Sequence, residues 1–402
     1  MLAETTAPAP PPAPPPALPP LLPALIGMTG LQALVALALF APGVLAPRMG
    51  IDPAGLGLFT TTGFAVGMAA SLCGGVLAGR LGSFRVASFC AVAVAAAMLC
   101  ATLGSGAAAL LAAGIAIGLA CGPETPASAT ILGRLVREAD RPMVFSVRQT
   151  GNQIGAMAGS LVLPVLATVA DPRAGYIAIA ALALACVPVF ERLRPAYDPL
   201  TRSAAAGFGL GAALRLLRDD PALRRIALAA FPYSASQLTL NGFFVVFAVA
   251  ELGLGHVAAG VALAAGQAGG LAGRLGWGVV ASRWVAPHRL VGLLGLGMAA
   301  ASILVALAGA ALPFPVLAMA TFLFGLTASG WNGVFLAEVA RLAPAGRIGE
   351  ATGAVMVGGF AGLIAGPMLL VAIAAVSSLA MGYVFVGVLA ALAGLSLLGG
   401  RR

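Results

Sequence analysis

Apolar residues run along this chain in long stretches that polar residues break only briefly. The stretches fall at 22–45, 54–80, 84–103, 107–135, 142–170, 174–191, 222–252, 256–283, 288–311, 314–341, 347–374 and 376–399. That makes twelve, each near or above the ~20 residues that a membrane-spanning helix needs. The third and fourth, and the ninth and tenth, are separated only by short Gly/Ala/Pro turns, so length divides them more than polarity does. The opening segment, MLAETTAPAPPPAPPPALPP, is rich in proline and has no basic n-region, which sets it apart from a signal peptide. Residues 1–21 are expected to form a disordered, partly polyproline-like cytoplasmic tail. The longest polar stretch, 192–221, is expected to be a cytoplasmic linker between two six-helix bundles, 22–191 and 222–402.

Composition turns the pattern into a class. The 402 residues are 60% hydrophobic and 9% charged, with a mean hydropathy of +1.03. A soluble chain carries about 25% charge, so the chain reads as an all-α integral membrane protein. All 22 basic residues are arginine. Without lysine no GxxxxGK[ST] phosphate loop exists. No soluble segment is long enough to be an ATPase, so energy comes from a gradient or a partner. No basic run is interleaved with aromatics, and nucleic acid is not an expected partner. Cys73, Cys90, Cys100, Cys121 and Cys186 lie in apolar stretches without metal-ligand spacing and read as small packing residues. His256 and His288 fall at loop edges. Neither a cofactor nor a metal site is expected, and the chain does not read as an enzyme.

The arginines test the count of spans. If the chain starts inside, the cytoplasmic loops hold Arg80, Arg85, Arg134, Arg137, Arg141 and seven arginines between Arg192 and Arg225. They also hold Arg283, Arg289, Arg341, Arg347, Arg401 and Arg402. Only Arg48 and Arg173 fall outside, and Arg148 and Arg274 lie within spans. This bias fits an even number of helices with both termini cytoplasmic.

The halves repeat. Arg80 and Arg283 end similar glycine-rich runs, GGVLAGR and GWGVVASR, 203 residues apart. At the same offset Gly155, Gly159 and Pro164 of the fifth stretch match Gly358, Gly362 and Pro367 of the eleventh. GLACGPETPASATILGRL in the fourth matches GLTASGWNGVFLAEVARL in the tenth. Two parallel six-helix repeats follow. On these residues, with the loop motifs Gly75, Arg80, Gly82, Arg85 and Gly278, Arg283, the chain resembles the major facilitator superfamily over its whole length after the tail. The family usually has an aspartate just before each arginine, where this chain has Gly79 and Ser282. VRQTGNQIGAMAGSLVLP, GRLGWGVVASRW and GWNGVFLAEVAR are also similar to bacterial carriers grouped with cyanate permeases and other small organic-anion transporters. The resemblance implies twelve transmembrane helices in two pseudo-symmetric six-helix bundles, with the third, sixth, ninth and twelfth helices peripheral. Apart from Arg85, Glu191 and Arg289 at their ends, those stretches hold no charge. The charges within spans that stand as candidates lie in the fourth, fifth, eighth and tenth: Glu124, Arg148, Arg274 and Glu338.

These four are the candidates for chemistry, because a charge at the bilayer centre costs roughly 2.5–3.5 kcal/mol on insertion scales and marks a functional site by default. Arg274 lies beside a small-residue face of Gly266, Gly269, Gly270 and Gly273, suited to close helix packing, and shares a polar line with Gln267. Its planar fork matches a carboxylate. Monocarboxylate and oxalate carriers, which the chain resembles, have an arginine on the eighth helix, implying an anionic substrate. The alternative is a structural arginine held by Glu124, Glu338 or helix carbonyls. Glu124 sits between Pro123 and Pro126, which weaken the local hydrogen-bond ladder. It is a candidate for proton coupling or for a permanent pair with Arg148 or Arg274. Arg148 reads as a gate residue pairing with Glu124, Glu138 or Asp140. Glu338 reads as a gate group with Arg341 or Arg283. Arg80 belongs to the same set of gate residues.

Neutral groups complete the expected pocket. Ser234, Gln237 and Asn241 share one face of the seventh stretch. Asn152, Gln149 and Gln153 lie on the fifth, Trp331 and Asn332 on the tenth, and Tyr233 could cap the pocket or sit in an interfacial belt. The expected function is secondary active transport of a small organic anion, such as a monocarboxylate, across a bacterial inner membrane. A monomer would do this by alternating access with protons as coupling ion. Two readings compete with it. One is a proton-driven exporter of neutral or cationic molecules centred on Glu124. The other is a non-transporting sensor whose proline-rich tail recruits a partner.

Overall fold

The computed structural model describes residues 18–51, 53–171, 173–201, 210–307 and 313–399, and among these no strand occurs. Most of the proline-rich tail, the middle of the 192–221 stretch, Arg401 and Arg402 lie outside the described residues. The helices of the first half are α1 (Leu21–Met49), α2 (Pro53–Leu81), α3 (Ser83–Thr102), α4 (Ala107–Leu135), α5 (Arg141–Val169) and α6 (Arg173–Thr201). A short amphipathic helix, α7 (Leu210–Asp219), precedes the second half. There follow α8 (Pro221–Leu238), α9 (Phe244–Ala250), α10 (His256–Arg283), α11 (Pro287–Leu307), α12 (Phe314–Ala328), α13 (Asn332–Leu342), α14 (Ile348–Val376) and α15 (Leu379–Leu398). Among the described residues, ten of the resulting spans are long and apolar enough to cross a bilayer on those two criteria. The remaining two, α5 and α10, are also long, at 29 and 28 residues. They carry Arg148 and Arg274. The chain is a twelve-span, all-helical membrane protein.

Packing repeats as the sequence does. In the first half α1 packs on α5, α2 on α4 and α3 on α6; in the second α8 packs on α14, α10 on α12 and α11 on α15. The two bundles meet along α2–α14 and α5–α10, a pseudo-symmetric pair of contacts, with α13 also against α5. In α10 the small-residue face does what its spacing predicts. A Cβ on Gly269 or Gly273 would collide with the carbonyl of Phe322 or Leu326 on α12.

α2, α4, α10 and α13 each carry an arginine in the last turn, Arg80, Arg134, Arg283 and Arg341, which define one basic end of the molecule. The bundles close tightly towards this end. A Cβ on Gly75 of α2 would meet the backbone of Gly349 and Glu350 on α14, and one on Gly278 of α10 would press on Ser146 of α5. Glycine-to-glycine approach of α2 and α14 thus holds the interface next to Gly79, where the family usually places an acid.

Three details depart from the sequence expectation. First, α6 continues to Thr201, beyond the expected start of the linker at 192, despite Pro188, Pro195 and Pro199. Its last turn is anchored rather than free. Asp198 accepts from the backbone N–H of Phe84 at 2.8 Å and of Arg85 at 3.3 Å, capping α3. Thr201 Oγ1 accepts from Ser83 N–H at 3.2 Å. Gly82, at φ 102, turns tightly enough for Asp198 to reach these donors. Asp198→Ala removes the cap of α3. It is expected to lower stability by about 1–2 kcal/mol, seen as a lower thermal midpoint of the purified protein; an unchanged midpoint refutes the staple.

Second, the seventh span is interrupted by a π turn at Thr239–Phe243. Third, the tenth is broken at Ser329–Trp331 between α12 and α13. Backbone groups freed inside a membrane need new partners, and an aromatic donor serves at each break. The Tyr383 hydroxyl donates to Thr239 O at 3.1 Å, and the Trp277 indole N–H to Leu326 O at 2.7 Å. Both breaks lie in helices that carry candidate site residues, and π turns concentrate at functional sites.

Candidate functional site

Arg148, from α5, and Glu124, from α4, form a buried ion pair through Arg148 Nη2 and Glu124 Oε1. Pro123 and Pro126 lie within α4 around the acid. Thr125 Oγ1 donates to Glu124 Oε2 at 2.9 Å, while Arg148 also reaches Ser128 Oγ at 3.3 Å. The pair is internal to the first bundle and electrically neutral. Of the partners the sequence leaves open for Glu124 and Arg148, the fold selects these two for each other. Glu138 and Asp140 lie at the membrane edge, where Asp140 instead pairs with Arg137 at 2.9 Å.

Arg274 is 1% exposed and lies roughly 13 Å from Arg283 along α10, at a rise of about 1.5 Å per residue. Its Nη1 donates to the backbone carbonyl of Gln149 at 2.9 Å, across the bundle interface. Its Nε is buried with no hydrogen-bond partner, and among the described residues no carboxylate pairs with it. With Glu124 already matched, the mid-membrane region carries one uncompensated positive charge. Of the structural alternatives, Glu124 and Glu338 pair elsewhere and a helix carbonyl is the group that Arg274 reaches.

The repeat partner of Arg274 is Ser71, 203 residues earlier. Ser71 Oγ lies 3.2 Å from the carbonyl of Gly353 on α14, again across the interface. Gly353 and Gln149 occupy nearly equivalent positions on the fourteenth and fifth helices. Ser71 Oγ donates to the Met68 carbonyl of its own helix at 2.8 Å, so the hydroxyl makes a weaker contact across the interface than the guanidinium does at the equivalent position.

A chain of amides extends from this point. Gln32 Nε2 donates to Gln149 Oε1 at 2.6 Å. Gln153 Nε2 donates to Gln267 Oε1 at 3.1 Å, and Gln267 Nε2 to Asn241 Oδ1 at 2.9 Å. Asn241 sits in the π turn and is exposed, so the network starts at an accessible residue and runs inward to the bundle interface. Asn332 Nδ2 donates to Gln237 Oε1 at 3.3 Å. The fold thus brings Gln267, Asn241 and Gln153 together, and Gln237 with Asn332. Asn152 is half-buried and takes no part in these bonds.

Two expected pocket residues are fully buried. Tyr233 is fully buried, and its hydroxyl donates to Val291 O at 2.9 Å within the second bundle. Trp331, 1% exposed, stands edge-on to Tyr233 and Phe335, with ring centroids 5.4 and 4.7 Å apart. Both rings lie among the buried residues of the core, and the Trp331 indole nitrogen is buried with no hydrogen-bond partner. Glu338 and Arg341 form a bidentate pair at 2.8 and 2.6 Å on one helix turn, so Glu338 does not reach Arg283. Arg80 and Arg283 are exposed at the basic end. Sequence reasoning passed over Gln32 and Trp277. Gln32 is a lone amide in an apolar stretch and Trp277 lies one turn beyond Arg274, so both left a signal.

Twelve spans in two repeats, broken helices at mid-depth and a buried arginine at the bundle interface define a membrane transporter rather than an enzyme. The Major Facilitator Superfamily model matches residues 24–367, and the chain belongs to that family. No curated protein sequence matches it. Among solved structures it is similar to the E. coli fucose:proton symporter FucP, with TM-score 0.74 at 17% identity, covering 95% of this chain and 99% of that one. It is similar to the human organic anion transporter MFSD10, with TM-score 0.76 at 18% identity, covering 94% and 100%. It is also similar to the proton:xylose symporter XylE, with TM-score 0.75 at 15% identity, covering 94% and 95%.

Proposed function

We propose that this transporter carries a small organic anion, such as a monocarboxylate, across a bacterial inner membrane in symport with protons, as a monomer. The two halves, 22–191 and 222–402, rock about the Arg274 region, with the linker, both termini and the basic end on the cytoplasmic side. The observation that carries the reading is the uncompensated guanidinium of Arg274, buried at the interface without an acid. An anion entering along Asn241, Gln267 and Gln153 supplies the missing charge and a matching bidentate acceptor. Its carboxylate then competes with the Gln149 carbonyl for Arg274. Substrate binding loosens a tie between the bundles, which is the event alternating access requires.

Glu124 is the proton carrier in this reading. Protonation removes its attraction for Arg148 and frees a second cation near the interface, so proton and anion favour one another's binding. One solved relative by fold is described as an organic anion transporter and two as proton symporters, which is compatible with both halves of the proposal. Purified protein screened by thermal shift against small carboxylates is expected to give a rise in midpoint with at least one, lost in Arg274→Ala. If no carboxylate shifts the wild type while neutral or cationic solutes do, the exporter reading replaces this one.

A further inference from the structure

We propose that the cavity between the bundles at the basic end is a second ligand site, for a phosphate ester, distinct from the Arg274 region. The cavity holds about 610 Å³ and takes its lining from both halves. Arg134 and Arg141 reach it from the first bundle and Arg341 from the second, with Glu138 as the acid among the lining residues. The arginines around it separate into two groups. Arg137 pairs with Asp140, Arg341 with Glu338 and Arg347 with Glu350. Among the described residues Arg134 and Arg141 have no carboxylate partner. Arg141 Nη2 bonds the Gly133 carbonyl at 3.0 Å, while its Nε is buried with no partner. The two arginines without an acid are thus both found in the cavity wall, one exposed and one half-buried.

The chemistry of the wall selects the ligand. Arg341 spends Nε and Nη2 on Glu338, which leaves Arg134 and Arg141 as the main anion donors. The 29-residue helix α14 begins at the cavity with Ile348, and its first turn carries Glu350, which pairs with Arg347, so the positive charge of the wall comes from the arginines. Their guanidinium forks match a phosphate. A bare phosphate leaves most of the volume unfilled, and Leu18, Leu200 and Ile348 offer an apolar wall for an attached organic group. Both an anionic phospholipid headgroup and a free phosphomonoester have this chemistry. A ligand touching both bundles binds only while this end is closed, and by linkage it holds the protein in that state.

The site stands apart from the transport proposal, on which only its cytoplasmic sidedness rests. The test is the thermal midpoint of full-length protein, with glycerol phosphate added in detergent, and in phosphatidylcholine nanodiscs with or without phosphatidylglycerol. A rise with glycerol phosphate, with the half-saturating concentration raised about tenfold in Arg134→Ala/Arg141→Ala, assigns a free phosphoester. A rise confined to phosphatidylglycerol and absent from that variant assigns a headgroup. Arg134→Ala alone, at an exposed position, serves if the double variant does not fold. Arg274→Ala is expected to retain the response, which separates this cavity from the transport site. Absence of any rise, an equal rise in the arginine variants, or its loss in Arg274→Ala overturns the proposal.

Discussion

Arg274→Ala is expected to abolish anion uptake into proteoliposomes while leaving the protein as stable as wild type or more so. The two halves of that expectation have one cause. A cation buried at mid-membrane costs about 2.5–3.5 kcal/mol on insertion scales, and here one carbonyl is its recorded hydrogen-bond acceptor. Removing it relieves that cost, as is common where stability has been yielded for activity. Each charge-assisted bond lost to the substrate weakens binding by about 1.5–3 kcal/mol, and two such bonds bring uptake to background. Arg274→Lys is expected to fail as well, because an ammonium lacks the planar fork. Arg274→Ser is the sharper variant. It copies Ser71 of the other half, so it is expected to keep a small polar side chain at the interface while removing the anion site. A structural role for Arg274 predicts the opposite pattern: a falling thermal midpoint with uptake preserved in whatever protein folds.

Glu124→Gln is expected to abolish proton-driven accumulation while preserving exchange of substrate across the membrane without a proton gradient. Glutamine keeps the size and hydrogen-bonding of the side chain but can neither bind nor release a proton. It also leaves Arg148 buried without its acid, and breaking a buried pair from one side costs about 3–5 kcal/mol. The single variant is therefore expected to be markedly less stable. Glu124→Gln with Arg148→Met is expected to regain stability without regaining coupling. Thermal midpoints and paired accumulation and counterflow assays read the two effects separately. Full proton-driven accumulation by either variant removes Glu124 from the coupling step. If Glu124→Gln stops all flux and Arg274→Ala stops none, the protein is instead an exporter built around the acid.

Some of this was legible from particular residues. Arg274 stands out because a charge interrupts an apolar run, and Ser71 is found as its counterpart by counting 203 residues back. An arginine in one half against a serine in the other is the asymmetry that a substrate site on a pseudo-symmetric frame would produce. In the fold Arg274 bonds a carbonyl of the opposite bundle and Ser71 Oγ, which donates to its own helix, lies 3.2 Å from one, so the proposed site coincides with a contact of the duplicated scaffold. The burial of Tyr233 and Trp331 was not legible, because an aromatic in a polar stretch reads the same whether it faces a pocket or the core. Asp198 gave no usable signal, since its role depends on α6 ending against α3, more than a hundred residues earlier.

The sequence alone determined the spans, their number, the basic end and the duplicated frame. These rest on local or additive quantities: the length of an apolar run against the thickness of a bilayer, the count of arginines in loops, a constant offset between repeats. Tertiary structure decided which buried charges neutralise each other. Glu124 had two arginines open to it, and the packing of α4 on α5 gave it Arg148, leaving Arg274 at the interface with a carbonyl and no acid. Pairing of that kind depends on distances of a few ångströms between helices far apart in the chain, in a medium where each unmatched charge carries a large cost. No periodicity in the sequence encodes those distances.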